Sequence, residues 1–191
     1  TNSGTESLMY AIRAARAYTQ RKAIVKIEGG YHGGYDPLQV SVKPALADIG
    51  PADAPIGQVP FDVEAGTVHV AAYNDLPMLE RIFAEHGRDV AAMVVEPVIE
   101  NLAIVLPDEG YLAGVRALCD QYGVVLIFDE VKTGLTAGYA GAAHRLGVEP
   151  DLITLAKSIG GGLPLAAFGG KREVMEVVVD GRMAHFGTYN G

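Results

Sequence analysis

The sequence predicts an α/β fold, a mainly parallel sheet with helices on both faces. Two observations carry this. Short runs that are apolar or nearly so (90–95, 124–128 and 152–155, the last interrupted by Thr154) alternate with segments of helical periodicity, and a strand without a polar side must be covered on both faces. Glu96, Asp129 and Lys157 stand at or just beyond the ends of those runs, the edge where such sheets place ligands.

In chain order, Asn2 or Ser3 ahead of Glu6 reads as an N-cap with a capping-box acid. Leu8, Ile12, Ala15 and Ala17 continue as a helix, with Arg13 and Arg16 on a solvated face. Residues 23–27 form a strand-like run, followed by the Gly-rich loop GGYHGG. From 36 to 62 the chain is rich in Pro, Gly and Ala without periodicity, which predicts a long excursion of the functional or mobile kind. A strand at 68–72, a helix at 77–86 and a strand at 90–95 follow, the last ending at Glu96-Pro97. Residues 110–122 read as a helix with Leu112, Val115, Leu118 and Cys119 on one face. Strands are expected at 124–128, ending at Asp129-Glu130, at 152–155, next to Lys157, and at 165–168, before Gly169-Gly170.

Composition excludes several classes. Fifteen Lys and Arg against 23 Asp and Glu give a formal charge of −8, so a general nucleic-acid binder with a basic footprint is not expected. The single cysteine, Cys119, allows no internal disulfide, points to a reducing cytoplasm and reads as core packing. No apolar run approaches the roughly 20 residues that span a bilayer. His69, His86, His144 and His185 lack metal-ligand spacing, so no metal is expected. The glycines at 160–162 lack a P-loop pattern and read as room for the turn after Lys157. The chain opens on TNSGTES and closes on HFGTYNG, both site-like loops, which predicts a piece of a longer protein.

The polar residues at the strand ends form a chemical set. A desolvated lysine is a nucleophile toward carbonyl compounds. A buried aspartate holds a proton on a pyridine nitrogen, the arrangement a pyridoxal phosphate (PLP) site requires. Ser3-Gly4-Thr5 at a helix start offers amides to a phosphate, and Tyr31 offers a flat ring.

The strings LIFDEVKTG and LAKSIGGGLPLAAFGG, whose Lys157 falls 28 residues after Asp129, resemble the class III PLP-dependent aminotransferase family. So do NSGTES, GGYHGG, VVEPVIEN and GTYNG, in the family's order from first residue to last. The resemblance implies PLP-dependent transferase fold type I, with a seven-stranded sheet in a large domain, of which 1–191 would be part, lacking an N-terminal segment and a C-terminal small domain. It implies a homodimer with a shared active site, acting on a small-molecule amino substrate. By the same resemblance Lys157 binds PLP as a Schiff base and shuttles the proton, Asp129 partners the pyridinium nitrogen, and Val131 packs under the ring. Ser3, Gly4 and Thr5 match the phosphate loop. Tyr31 matches the stacking aromatic with His32 beside it, and Glu96 a supporting acid near the cofactor. Thr188 matches the threonine that reaches the neighbouring subunit's phosphate. Asn101 stands where the glutamate-1-semialdehyde aminomutase branch has an asparagine on the cofactor's phenolic oxygen and many class III aminotransferases have an acid. KTGLT stands where that branch usually has MTGFR. Both activities, aminomutase and intermolecular amino transfer, including that of β-amino acids, stay open at this point.

Overall fold

The computed structural model describes residues 1–42 and 63–188. Six strands form one sheet in the order β2-β1-β3-β4-β5-β6. They are β1 (Ala23–Ile27), β2 (Val68–Ala71), β3 (Val90–Val95), β4 (Val125–Asp129), β5 (Leu152–Leu155) and β6 (Ala167–Gly170). The first five pair in parallel, and β6 runs antiparallel to β5, with Leu152 opposite Gly170. The mainly parallel sheet holds as expected. The described residues hold six strands, where the resemblance implies a sheet of seven.

Helices cover both faces because successive residues of each strand point to opposite sides. Ile24, Val94, Ile127 and Leu152 pack against Leu8 and Ile12 of α1 (Gly4–Thr19) and Val174 and Val177 of α7 (Arg172–Val179). Val25, Met93, Leu126 and Phe128 pack on the other side against α3 (Leu76–His86) and α4 (Tyr111–Tyr122), where Cys119 is fully buried. Burial pushes the Cys119 thiol far up, so it stays a protonated, apolar packing element. Shorter helices are α2 (Asp36–Gln39), α5 (Thr133–Thr136) and α6 (Gly141–Leu146).

Ser3 is the N-cap of α1, its hydroxyl accepting from the Glu6 amide at 3.2 Å, while the Glu6 carboxylate accepts from the Asn2 amide at 2.6 Å. This is the reciprocal capping arrangement shifted by one residue.

Three expectations change, and one helix is added to them. The final strand lies at 167–170 rather than 165–168, because the backbone of 167–170 is what pairs with β5 and Leu165 turns toward a cavity instead. Residues 172–179 form a helix despite three consecutive valines, since Val174 and Val177 then share one buried face. Arg13 and Arg16 are not simply solvated. Arg16 donates to the Lys22 carbonyl (2.8 Å) and the Tyr35 hydroxyl (3.1 Å), and Arg13 reaches the Ala184 carbonyl and stacks over Tyr10. The excursion expected from 36 begins with α2, and 43–62 lie outside the described residues. Among the described residues no helix is long and apolar enough to cross a membrane, and no group of His, Cys, Asp and Glu could hold a metal.

Asp151 fixes the start of β5. One oxygen accepts from the Leu126 amide (2.7 Å) and from Arg116 (2.9 Å), the other from Lys171 (2.7 Å). Removing one partner of a buried, bonded charge set strands the others, at a cost of about 3 kcal/mol. Asp151→Ala is therefore expected to lower the unfolding free energy by about that amount in urea titration, and Asp151→Asn by less, since an amide keeps one acceptor.

Candidate active site

The chain leaves β1 for β2 on one side and returns to β3 on the other, so the strand order reverses between β1 and β3. At such a reversal the strand-exit loops part and leave a crevice. A cavity of about 360 Å³ lies there. Tyr31 and His32 line it from the loop after β1, and Glu96 and Asn101 from the segment after β3. Asp129, Val131 and Lys132 come from β4 and its exit, Ala156 and Lys157 from beyond β5, and the N-terminus of α1 adds Ser3, Gly4 and Thr5. Every residue expected at the site except Thr188 lines this one cavity. Thr188 is exposed and is not among its lining residues.

Asp129 is 6% exposed, and each of its oxygens is hydrogen-bonded. One oxygen lies 2.7 Å from Nδ1 of buried His32, and the other accepts from the Val131 amide at 3.0 Å. A carboxylate can only accept, so His32 Nδ1 is the donor of that bond. His32 Nε2 is buried and has no partner among the described residues. Its place beside Asp129 in the cavity wall leaves that nitrogen open to a further polar group.

The α1 N-terminus is the end of the cavity suited to an anion. Ser3 takes the Glu6 amide and, through its carbonyl, the Ser7 amide. The Gly4 and Thr5 amides precede the first intrahelical bond and have no acceptor within the helix. With the helix dipole behind them they favour a negative group. Gly4 lies close to Val131, where a Cβ would stand 3.2 Å from a valine methyl, so the helix start and the strand exit pack tightly. The Thr5 hydroxyl accepts from the Gly34 amide at 3.0 Å, and Gly33, at φ +90°, passes so close to Thr5 that a side chain there would collide with it. The GGYHGG loop is thus laid directly across the helix start.

Lys157 opens a short 3₁₀ turn (Lys157–Gly160) at φ +49°. A non-glycine residue in that region stores on the order of 1–3 kcal/mol of backbone strain, and such strain concentrates at functional positions. Its amine has no partner among the described residues.

Three features of the site are not visible in the sequence pattern. Lys132 donates to Asn101 Oδ1 at 2.9 Å, and Asn101 Nδ2 donates to Glu96 Oε1 at 2.9 Å, a polar chain along one wall. Only the adjacency of Lys132 to Val131 in the exit of β4 could have pointed to it. Leu163 and Leu165 supply an apolar rim. Lys26, inside an apolar strand, is fully buried and donates to the Gly30 (3.1 Å) and Val40 (2.6 Å) carbonyls. It clamps the two ends of the segment carrying Tyr31 and His32. Ser41 adds a second tie, donating its hydroxyl to Glu28 (2.7 Å) and accepting from the Gly29 amide.

The family model for "Aminotransferase class-III" matches residues 1–191. A glutamate-1-semialdehyde 2,1-aminomutase of Desulfovibrio desulfuricans is 48% identical over all 191 residues, and the chain spans 44% of that protein. An omega-transaminase structure from Sphaerobacter thermophilus superposes over the whole chain with a TM-score of 0.88 and 41% identity, covering 45% of that structure. A glutamate-1-semialdehyde aminomutase structure from Pseudomonas aeruginosa, in complex with PMP, matches the whole chain with a TM-score of 0.81 and 33% identity, covering 41% of that structure. The chain thus spans less than half the length of the proteins it matches.

Burial pulls the Lys26 ammonium down to about 8, against the opposing pull of Glu28 and Glu96. The folded state then holds fewer protons than the unfolded state between about pH 8 and 10.5, so this lysine makes stability rise with pH across that window. The penalty it imposes is complete below pH 8 and gone above 10.5. Lys26→Met is expected to remove that slope. The stability difference between parent and variant, flat below pH 8, should change by about 3 kcal/mol in the parent's favour by pH 10.5, as read by denaturant unfolding at stepped pH.

Proposed function

The chain belongs to the class III aminotransferase family, and from that premise we propose that its cavity holds PLP and carries out amino-group transfer, as the cofactor-binding part of a glutamate-1-semialdehyde 2,1-aminomutase. The observation that carries the reading is the buried His32–Asp129 pair facing the same 360 Å³ cavity as Lys157 and the N-terminus of α1. The donor set fits the cofactor. Amides of Gly4 and Thr5 with Ser3 would take the phosphate, Asp129 the ring nitrogen, Tyr31 and Val131 the two ring faces, and Lys157 the aldehyde carbon.

Bound there, PLP supplies an electron sink for negative charge developing beside the amino group. The protein's own contributions follow from the geometry. Asp129 holds a proton at the ring nitrogen, and its two hydrogen bonds keep it from turning away. Lys157 Nζ is the base that moves the proton at the substrate's reacting carbons, aided by the freedom of an amine without a structural partner. Glu96 orients Asn101, which would meet the cofactor's phenolic oxygen.

Support for the aminomutase comes from relatives of that name at 44–48% identity and from Asn101. Such an enzyme moves an amino group within one molecule, from glutamate-1-semialdehyde to 5-aminolevulinate in tetrapyrrole biosynthesis. A second reading, intermolecular transfer from an amine or amino acid to a keto acid, is favoured by the omega-transaminase structure, whose identity to the chain exceeds that of the aminomutase structure. KTGLT in place of MTGFR supports it too. The whole protein is further proposed to be a cytoplasmic homodimer with an N-terminal segment and a small C-terminal domain beyond residues 1–191. Thr188 would serve the neighbouring subunit's phosphate, and a second copy would cover Tyr31, Leu163 and Leu165, which are exposed at the cavity.

Product analysis separates the readings. The whole enzyme, incubated with glutamate-1-semialdehyde, is expected to form 5-aminolevulinate without added keto acid. A strict requirement for keto acid would replace the aminomutase with the aminotransferase. Asp129→Asn should retain PLP yet lower turnover on the order of a hundredfold or more, since it removes a preorganised electrostatic partner. Turnover near that of the parent enzyme would eliminate the role given to Asp129.

A further inference from the structure

Lys132 is a second amine in the cavity of Lys157. It is half-buried, and its only hydrogen bond among the described residues runs to Asn101 Oδ1 at 2.9 Å. No carboxylate among the described residues pairs with it directly; Glu96 lies one step away, on the far side of the Asn101 amide. An ammonium can only donate and a carboxylate can only accept. Between Lys132 and Glu96 the Asn101 amide therefore has one permitted orientation, carbonyl oxygen to the lysine and nitrogen to the glutamate.

We infer that Lys132 is a positioning residue that fixes Asn101 and sets the charge of this wall, coupling its ammonium to the protonation of the Lys157–cofactor linkage. The inference rests on PLP occupying this cavity through Lys157. A positive charge in a partly desolvated site disfavours a second positive charge close by. Because both amines line one cavity, Lys132 would lower the pH at which a linkage at Lys157 loses its proton. The other ionisable groups lining the cavity are Tyr31, His32, Glu96 and Asp129. Asp129 is held by His32 and the Val131 amide and Glu96 by Asn101 and the Glu100 amide, so neither acid contacts the Lys132 ammonium. The MTGFR string of the aminomutase branch has a methionine at this position, so Lys132 adds a charge there.

The test is a pH titration of the visible absorption of the PLP-loaded whole enzyme, which reads the linkage without turnover. Lys132→Met and Lys132→Gln are both expected to raise the midpoint by about one pH unit, and Lys132→Arg to leave it near the parent value. Glutamine separates charge from hydrogen bonding, because its amide can still donate to Asn101 without carrying a charge. A Lys132→Met midpoint equal to the parent's, or a Lys132→Gln midpoint that stays at the parent value, overturns the inference and leaves the cofactor reading intact. An enzyme that binds no chromophore at all overturns the cofactor reading, and this inference falls with it.

Discussion

A carboxylate buried at the end of an apolar strand is stable only if its partners are brought to it, and Asp129 imposes that demand on the rest of the molecule. One partner is local, the Val131 amide, supplied by the turn of the chain as it leaves β4. The other, His32, belongs to the exit of β1, and β3 lies between β1 and β4 in the sheet. The GGYHGG loop must therefore cross the carboxyl edge of the sheet. Gly33 is needed where the loop passes Thr5, and Lys26 and Ser41 are needed to hold its ends. Meeting that one requirement also lays the loop over the start of α1 and encloses the cavity.

The adjacent acids of the FDEV string show how finely the backbone divides labour. Asp129 faces the cavity. Glu130, next in the chain and also buried, accepts from the amides of Ala142 and Ala143 and from the Thr133 hydroxyl. It caps the start of α6 and anchors the segment that follows β4. The first carboxylate thus faces the cavity, and the second ties the chain together behind it. On the neighbouring strand the same contrast separates Asp151, which ties β5 to α4 and α7, from Lys157, which is left unpaired and strained.

Much of this was legible in the sequence, for a physical reason. Strands covered on both faces are mostly apolar, so β1, β3 and β5 match their expected limits residue for residue, with Lys26 and Thr154 the polar exceptions. The carboxyl-edge positions of Glu96, Asp129 and Lys157 follow once the strands are placed. Helices of four to six residues, α2, α5 and α6, are too short to show a period. No element is expected at α7, where three consecutive valines mask the face shared by Val174 and Val177. Lys26 and Lys132 were hidden because a sequence shows a polar residue but not its partners. In Lys26 those partners are two carbonyls separated by ten residues, and in Lys132 an amide 31 residues away.

The central claim is that one particular amine in this cavity, Lys157, is the attachment point for PLP, while two other lysines nearby serve structure and charge. Borohydride reduction of the PLP-loaded enzyme followed by peptide mass spectrometry tests it most directly. The account predicts a single pyridoxyl-modified peptide carrying the group on Lys157. A pyridoxyl group on Lys132 or Lys26, with Lys157 unmodified, would contradict it.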